Sequence, residues 1–332
     1  MNQNFWTGRK VLVTGAGGFI GSHLVEALVS QDALVRVFVR YNSRGSLGLL
    51  HQIEESIRTK VEIVFGDLRD LVAVEEAVRG VSHVFHLGAL IAIPYSYLHP
   101  IEVVETNVLG TLNILQASRS LGVERVVHTS SSEVYGSALH VPIEETHPLQ
   151  GQSPYSASKI GADKIAESYY CAYGLPVVTL RPFNTYGPRQ STRAIIPSII
   201  TQALTSNVVR IGNLEARRDL TYVTDTVQGF LQIALAEGIE GETFNLGTGQ
   251  EVKIAELAQE IFSLMGKSPK LDVEPARLRP EKSEVQRLLS DNRRARQRLG
   301  WTPLVLLQEG LLKTIDWISD NLALYQTGIY QI

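Results

Sequence analysis

Tyr155 and Lys159 stand four residues apart in the stretch YSASK, which puts both side chains on one face of a helix. An ammonium beside a phenol lowers the phenol's pKa and makes it a usable base at neutral pH. A second group of reactive types lies upstream in HTSSSEVYGSA, residues 128–138. There the apolar run VERVV leads into Ser130, Ser131 and Ser132, and then into the carboxylate of Glu133. Serine and threonine often finish strands because they suit turns and caps. A glutamate beside that cluster is less expected, and it offers a further acid or base.

These groups need elements to hold them, and the first such element is a glycine turn. TGAGGFIG spaces Gly15, Gly18 and Gly21 as G-x-x-G-x-x-G between the apolar run KVLVTG and the helical pattern SHLVEALVS. Glycines here permit a tight turn and close approach of a pyrophosphate, and a helix opening at Phe19 and Ile20 aims its first amides at that charge. The spacing predicts a dinucleotide site. An acid ending the second strand would hold the adenosine ribose, but that place is Val39, followed by RYNSRGS. Arg40, Asn42, Ser43 and Arg44 could hold a 2′-phosphate instead, so NADP is favoured slightly over NAD.

Around the glycine turn, short apolar runs alternate with helix-length segments. LVRVFV, VEIVFGD, HVFHLGA, RVVHTSS and PVVTLRP read as strands of a parallel sheet. The expected fold is a Rossmann-type, doubly wound α/β sheet with a smaller C-terminal lobe. Residues 1–185 form the expected NAD(P)-binding domain with the catalytic groups. Residues 186–332 form the expected substrate lobe, with isolated strands VVRIG and TFNLG and some segments returning to the sheet.

The chain of 332 residues is 44% hydrophobic and 20% charged, with a net charge of −3, which is ordinary for a globular enzyme and favours neither nucleic acid nor an anionic membrane. The basic run NRRARQR reads as a solvated helix face. Cys171, the single cysteine, cannot form an intrachain disulfide, which suits a reducing cytoplasm. The N-terminus lacks an apolar leader and no run is long enough to span a bilayer, so a soluble cytoplasmic protein is expected, with no metal site.

The glycine turn, the serine cluster, YSASK and Asn107 in ETNVLGT together resemble the extended short-chain dehydrogenase/reductase family, specifically its sugar-nucleotide epimerases and dehydratases. The likeness runs through RPFNTYGPRQ, RRDLTYVTD, FNLGTG and RPEKSEV, and so covers essentially the whole chain. It implies that Asn184, Arg189, Arg218 and Arg279 meet a nucleoside-diphosphate sugar; guanidinium forks grip phosphates bidentately. It also implies that Asp67 and Leu68 lie by the adenine, and that Leu87, Ala89 and Asn107 border the cofactor. Gly88 departs from the alanine usual in HLAA. AIPYSY and TRAIIPSII would line the sugar and base pockets. A homodimer is implied, paired through helices near residues 105–117 and 156–174.

The resemblance also bears on the reaction. Epimerases of this family need only the Ser/Tyr/Lys set, whereas dehydratases must also remove the C5 proton and expel the C6 hydroxyl. In the dTDP-glucose type the extra element reads T-D-E and in the GDP-mannose type T-S-E. Here it reads Ser131-Ser132-Glu133, similar to the second type with serine for threonine. UDP-glucuronate decarboxylases carry a glutamate at this place too, but their substrate carboxylate wants a cation, and LQGQSP before Tyr155 has none. The wording of PLQGQSPYSASKIGADK and RPEKSEVQRLLSDN looks closest to N-acetylglucosamine 4,6-dehydratases of the legionaminic-acid pathway. The implied activity is a 4,6-dehydratase on UDP- or GDP-N-acetylglucosamine with recycled NAD(P); a 4-epimerase or decarboxylase is the alternative.

Overall fold

A computed structural model describes residues 5–325. Its centre is a seven-stranded parallel sheet. The strands are β1 (Lys10–Thr14), β2 (Leu34–Arg40), β3 (Glu62–Gly66), β4 (His83–His86), β5 (Arg125–Thr129), β6 (Val177–Pro182) and β7 (Thr243–Leu246). Their spatial order is β7-β6-β5-β4-β1-β2-β3. The order reverses between β1 and β4, and ligands of doubly wound sheets bind at such a switch point, beyond the strands' carboxyl ends.

Because successive side chains of a strand face opposite ways, β1, β2, β4, β5 and β6 each feed two cores. Val11, Val13 and Phe85 join Leu24, Leu28, Phe230 and Ile233 on one side, under the helices Phe19–Val29 and Val223–Leu235. Leu12 and Val84 join Val74, Ile114, Leu115 and Ala166 on the other, under Leu71–Val78, Gly110–Ser120 and Pro154–Tyr173. Burial on both faces explains why these strands read as continuous apolar runs, whereas β3 at the sheet edge leaves Ile63 and Phe65 exposed.

TFNLG is not an isolated strand of a separate lobe. Its residues Thr243–Leu246 pair with β6 and close the sheet, because Phe244 and Leu246 are fully buried in the first core. The rest of the C-terminal half is built from short ladders: Asn184–Tyr186 with Leu220–Tyr222, Val208–Ile211 with Lys270–Val273, and Arg217–Arg218 between Val252–Lys253 and Arg287–Leu288. These ladders place Asn184 and Arg218 beside the sheet's carboxyl edge. No helix among the described residues is long and apolar enough to cross a membrane.

Candidate active site

β1 ends at Thr14 and the chain turns through Gly15 at a φ of 67°. A Cβ on Gly15 would lie 2.7 Å from the Gly88 nitrogen, and one on Gly21 would lie 2.3 Å from the Gly15 carbonyl oxygen. Both obstacles are backbone, so no rotamer change relieves them. The Phe19–Val29 helix starts at Gly18 with no side-chain cap, leaving the first amides, those of Phe19 and Ile20 included, for an anion. A cradle without Cβ atoms at an uncapped helix start fits a dinucleotide pyrophosphate.

A buried chain of hydrogen bonds ties this turn to the next strand. The Gly88 amide donates to Thr14 Oγ1 at 3.0 Å, and Thr14 Oγ1 lies 2.8 Å from His86 Nδ1. His86 Nε2 is 3.0 Å from Thr111 Oγ1, which donates to the Asn107 carbonyl at 2.6 Å. Thr111 has spent its proton, so His86 donates through Nε2 and accepts from Thr14 through Nδ1, the neutral tautomer that burial also enforces by pulling its pKa down. Asn107 sits in a π-helical segment, Glu105–Leu109. Its side chain exchanges two bonds with the Leu90 backbone, at 2.8 and 2.9 Å, and donates to Ser158 at 2.9 Å. It therefore fixes the half-buried Leu87–Leu90 segment, Ala89 included, against the helix that carries Tyr155. The glycine at 88 leaves room for Leu68, whose Cδ1 would stand 2.8 Å from a Cβ there.

The Pro154–Tyr173 helix opens with a capping box between Ser153 and Ser156 and Pro154 in its first turn, and it ends at Gly174 in the left-handed region. That start places Tyr155 in the first turn and Lys159 one turn on, both buried. Lys159 Nζ donates to the Thr129 carbonyl at 2.7 Å. Ser131 caps the short turn Ser132–Tyr135, accepting from the Glu133 amide at 3.2 Å, and its hydroxyl is near enough to the Tyr155 phenol to favour the phenolate. Ser132 is buried at the head of that turn.

One expectation about this group is corrected. Burial, with Glu133 and Asp163 acting in the same sense, pushes the Tyr155 phenol up to about 12, against the pull of the Ser131 hydroxyl. The Lys159 ammonium does not reverse this, because it is aimed at Thr129 and burial brings its own pKa down to about 8.

Glu133 faces the other half of the cleft. Its carboxylate lies 3.5 Å from the Arg279 guanidinium, with the two side chains 13% and 26% exposed. Arg218 is 7% exposed, donates to the Arg217 carbonyl at 2.9 Å, and stands 3.7 Å from Glu284. Burial pulls the Arg218 pKa down, and Glu133 and Glu284 only partly offset it. Burial also works against Arg279, but there the same two carboxylates prevail and its pKa is raised. The Asn184 side-chain oxygen is buried with no hydrogen-bond partner. Glu133, Arg218 and Arg279 thus converge, and a buried guanidinium without a bonded carboxylate is a place for an anion.

Other expected residues lie elsewhere. Arg189 has a φ of 69°, and its guanidinium donates to Ser22 Oγ at 3.1 Å and pairs with Glu26, clasping the glycine-turn helix rather than joining Arg218 and Arg279. Asp67 is bound by Arg69 at 2.8 to 3.0 Å, which holds its carboxyl below the usual range. Arg40 reaches Glu102 at 3.3 Å, and Arg44 and Ser43 are exposed. Asn42 organises its own loop, accepting from the Arg44 and Ser46 amides at 3.2 and 2.9 Å. Sequence spacing did not single out Thr14, His86, Thr111, Ser158 or Asp163; only Asp163, four beyond Lys159, carried a signal that helical periodicity could have used.

The sequence model of the GDP-mannose 4,6 dehydratase family matches residues 12–314. The chain belongs to this family. Its relatives are sugar-nucleotide dehydratases and epimerases of the extended short-chain dehydrogenase/reductase family. A UDP-glucose 4-epimerase of Mycolicibacterium smegmatis is 35% identical, over 94% of this chain and 99% of that protein. A dTDP-D-glucose 4,6-dehydratase of Mus musculus is 31% identical, over 94% of this chain and 89% of its own. The solved dTDP-glucose 4,6-dehydratase of Streptomyces venezuelae, with NAD bound, superposes with a TM-score of 0.83 at 31% identity, covering 96% of this chain and 99% of that one. This family member is accordingly an enzyme of the NAD-dependent dehydratase/epimerase group.

Proposed function

We propose that the protein is a 4,6-dehydratase that converts a nucleoside-diphosphate hexose, UDP- or GDP-N-acetylglucosamine, to its 4-keto-6-deoxy form. The observation that carries this reading is Glu133, a carboxylate held at the reacting side of Ser131 and Tyr155 and turned toward Arg279. When bound, the nicotinamide cofactor supplies a reversible hydride acceptor and a positive charge. Tyr155, beside Ser131 and one turn from Lys159, takes the proton of the C4 hydroxyl. The resulting ketone acidifies C5; Glu133 takes that proton and gives it to the departing C6 hydroxyl, which leaves as water. The hydride taken from C4 would return to C6 while a solvent proton, matching the one Tyr155 gives up, restores C5–H. Arg218, Arg279 and Asn184 hold the diphosphate and sugar. Residues 1–185 supply the cofactor side and residues 186–332 mainly the nucleotide-sugar side.

A 4-epimerase is the second reading, favoured by the identity to the Mycolicibacterium smegmatis enzyme. Incubation with UDP- and GDP-N-acetylglucosamine followed by mass spectrometry separates the two. Loss of one water supports the dehydratase; an unchanged mass with inverted C4 establishes the epimerase. NADP is expected to bind at least as well as NAD, on Arg40 and Arg44. A homodimer is expected, paired through the helices near residues 105–117 and 156–174, where Leu109, Tyr170 and Tyr173 are exposed apolar residues, with Ile101 and Val104 of the adjoining helix Pro100–Val104 exposed as well. Light scattering at micromolar concentration gives the mass that checks it.

A further inference from the structure

Behind the reacting face, Asp163 sits one turn beyond Lys159 on the Pro154–Tyr173 helix, 5% exposed. Four hydrogen bonds converge on its carboxylate. His128 Nε2 donates to Oδ1 at 3.1 Å, and Ser130 Oγ donates to Oδ2 at 2.8 Å. The Arg181 guanidinium donates to Oδ2 through Nε at 3.1 Å and Nη2 at 2.9 Å. His128 lies on β5, Ser130 directly follows it, and Arg181 lies on β6, so one carboxylate pins the ends of two strands to the helix that carries Tyr155 and Lys159. The pinned end of β5 supplies the Thr129 carbonyl that takes the Lys159 ammonium, and two residues on it becomes Ser131.

We propose that Asp163 is a positioning residue, which sets the Tyr155–Lys159 face in register with Ser131 and serves as the buried counter-charge of Lys159. The proposal rests on the reading above that Tyr155 and Lys159 carry the proton transfer. Stability alone would be served as well by apolar residues of similar volume, since a buried ion pair gains little net free energy over them. What the carboxylate adds is direction, because its two oxygens accept at once from three residues at the ends of two strands.

The groups around Lys159 make the charge argument concrete. From its own helix come Tyr155 and Asp163, from β4 His86 and from β5 His128, while Arg181 on β6 acts on Asp163 and Glu133 in the turn after β5 acts on Tyr155. Both histidines are held neutral by burial, and His128 leaves its Nδ1 without a partner. Burial opposes the Asp163 charge, but His128, Arg181 and Lys159 hold its carboxyl at about 2. Asp163 in turn raises the pKa of Lys159 against the desolvation that brings it to about 8, and raises that of Tyr155. Removing the Asp163 charge should therefore lower both.

The test is Asp163→Asn in protein labelled with ¹³Cε-lysine, with the Lys159 resonance identified by its loss in Lys159→Arg. The midpoint of Lys159 is expected to fall by roughly one pH unit, the effect of one buried charge several ångströms away. No substrate enters this measurement. The acid limb of cofactor reduction by the nucleotide sugar should move to lower pH in the same variant, with kcat reduced and KM nearly unchanged, and Asp163→Glu should restore the parent midpoint. If Arg181, left unpaired, prevents folding of the single variant, Asp163→Asn/Arg181→Gln removes both charges and the Lys159 midpoint should still fall. A lower melting temperature with an unmoved Lys159 midpoint and an unmoved limb would overturn the proposal. A shifted midpoint without any cofactor reduction by nucleotide sugars would instead sink the dehydratase reading and leave Asp163 as the counter-charge of Lys159.

Discussion

At the glycine turn, backbone meets backbone: the Gly15 carbonyl lies where a Gly21 Cβ would be, and the Gly88 amide where a Gly15 Cβ would be. No side-chain charge takes part. Across the cleft, Glu133, Arg218, Arg279 and Glu284 form a group of opposed charges at 3.5 to 3.7 Å, none in a short bidentate pair. The first region is finished by steric fit and needs only a ligand of the right shape. The second is assembled from charges that satisfy one another loosely and would be rearranged by a diphosphate. Substitutions should therefore act all-or-none at the first and in graded fashion at the second.

The largest effect belongs to Gly21→Ala. A methyl group 2.3 Å from a carbonyl oxygen cannot be accommodated without displacing the turn. Bound cofactor per chain, measured after gel filtration, should drop to none while circular dichroism stays near that of the parent. Retention of stoichiometric cofactor would break the comparison at its steric end.

Next comes Glu133→Gln, which keeps size and hydrogen bonding but loses proton transfer. General acid–base help is worth ~10²–10⁴ in rate, and dehydration should fall by that much. Reduction of the cofactor depends on Tyr155 and Lys159 and should survive, so reduced nicotinamide should accumulate with little solvent deuterium entering C5. Dehydration within a few-fold of the parent would make Glu133 a structural partner of Arg279. Failure to reduce the cofactor would mean that the residue shapes the site.

Arg218→Met is third. A hydrogen bond to a charged group is worth about 1.5–3 kcal/mol, so a nucleoside diphosphate should bind roughly 10- to 100-fold more weakly by calorimetry. Undiminished affinity would show that the loosely paired arginine is not waiting for phosphate.

The same contrast explains what was legible in the sequence. Glycines, the strand–helix alternation and the four-residue step from Tyr155 to Lys159 are local patterns, and local patterns survive in one dimension. Arg189 enters through the resemblance of RPFNTYGPRQ, which implies a ligand shared with Asn184, whereas in the fold its guanidinium, on a left-handed backbone, turns back to Glu26. The partners of Asp163 come from β5 and β6, 18 to 35 residues away, and no spacing rule announces them. Thr243–Leu246 reads in sequence as an isolated strand because the chain leaves the sheet after β6 and returns only after about 60 residues of short ladders and helices, longer than an ordinary crossover. The depressed phenol failed for a related reason: adjacency of Tyr155 and Lys159 is visible in sequence, but the burial that raises the one and the carbonyl that claims the other are not.

The smallest effect is expected at Arg40. Its guanidinium is 61% exposed and spans 3.3 Å to Glu102, an ion pair of the kind worth little in water. A 2′-phosphate would have to draw it from that carboxylate, and Arg44 on the same exposed loop would assist. Arg40→Ala should therefore weaken NADP by only a few-fold and leave NAD unchanged in equilibrium binding to cofactor-stripped protein, and the NADP effect should fade as salt is raised, since screening acts most on exposed charges. Glu102→Gln sharpens the reading, because releasing Arg40 should strengthen NADP slightly while NAD stays put. If NAD binds clearly tighter than NADP in the parent and Arg40→Ala leaves NADP affinity unmoved, then the arginines after Val39 are solvent-facing charges, and the ribose end of the cofactor is selected by the backbone of the loop that Asn42 organises.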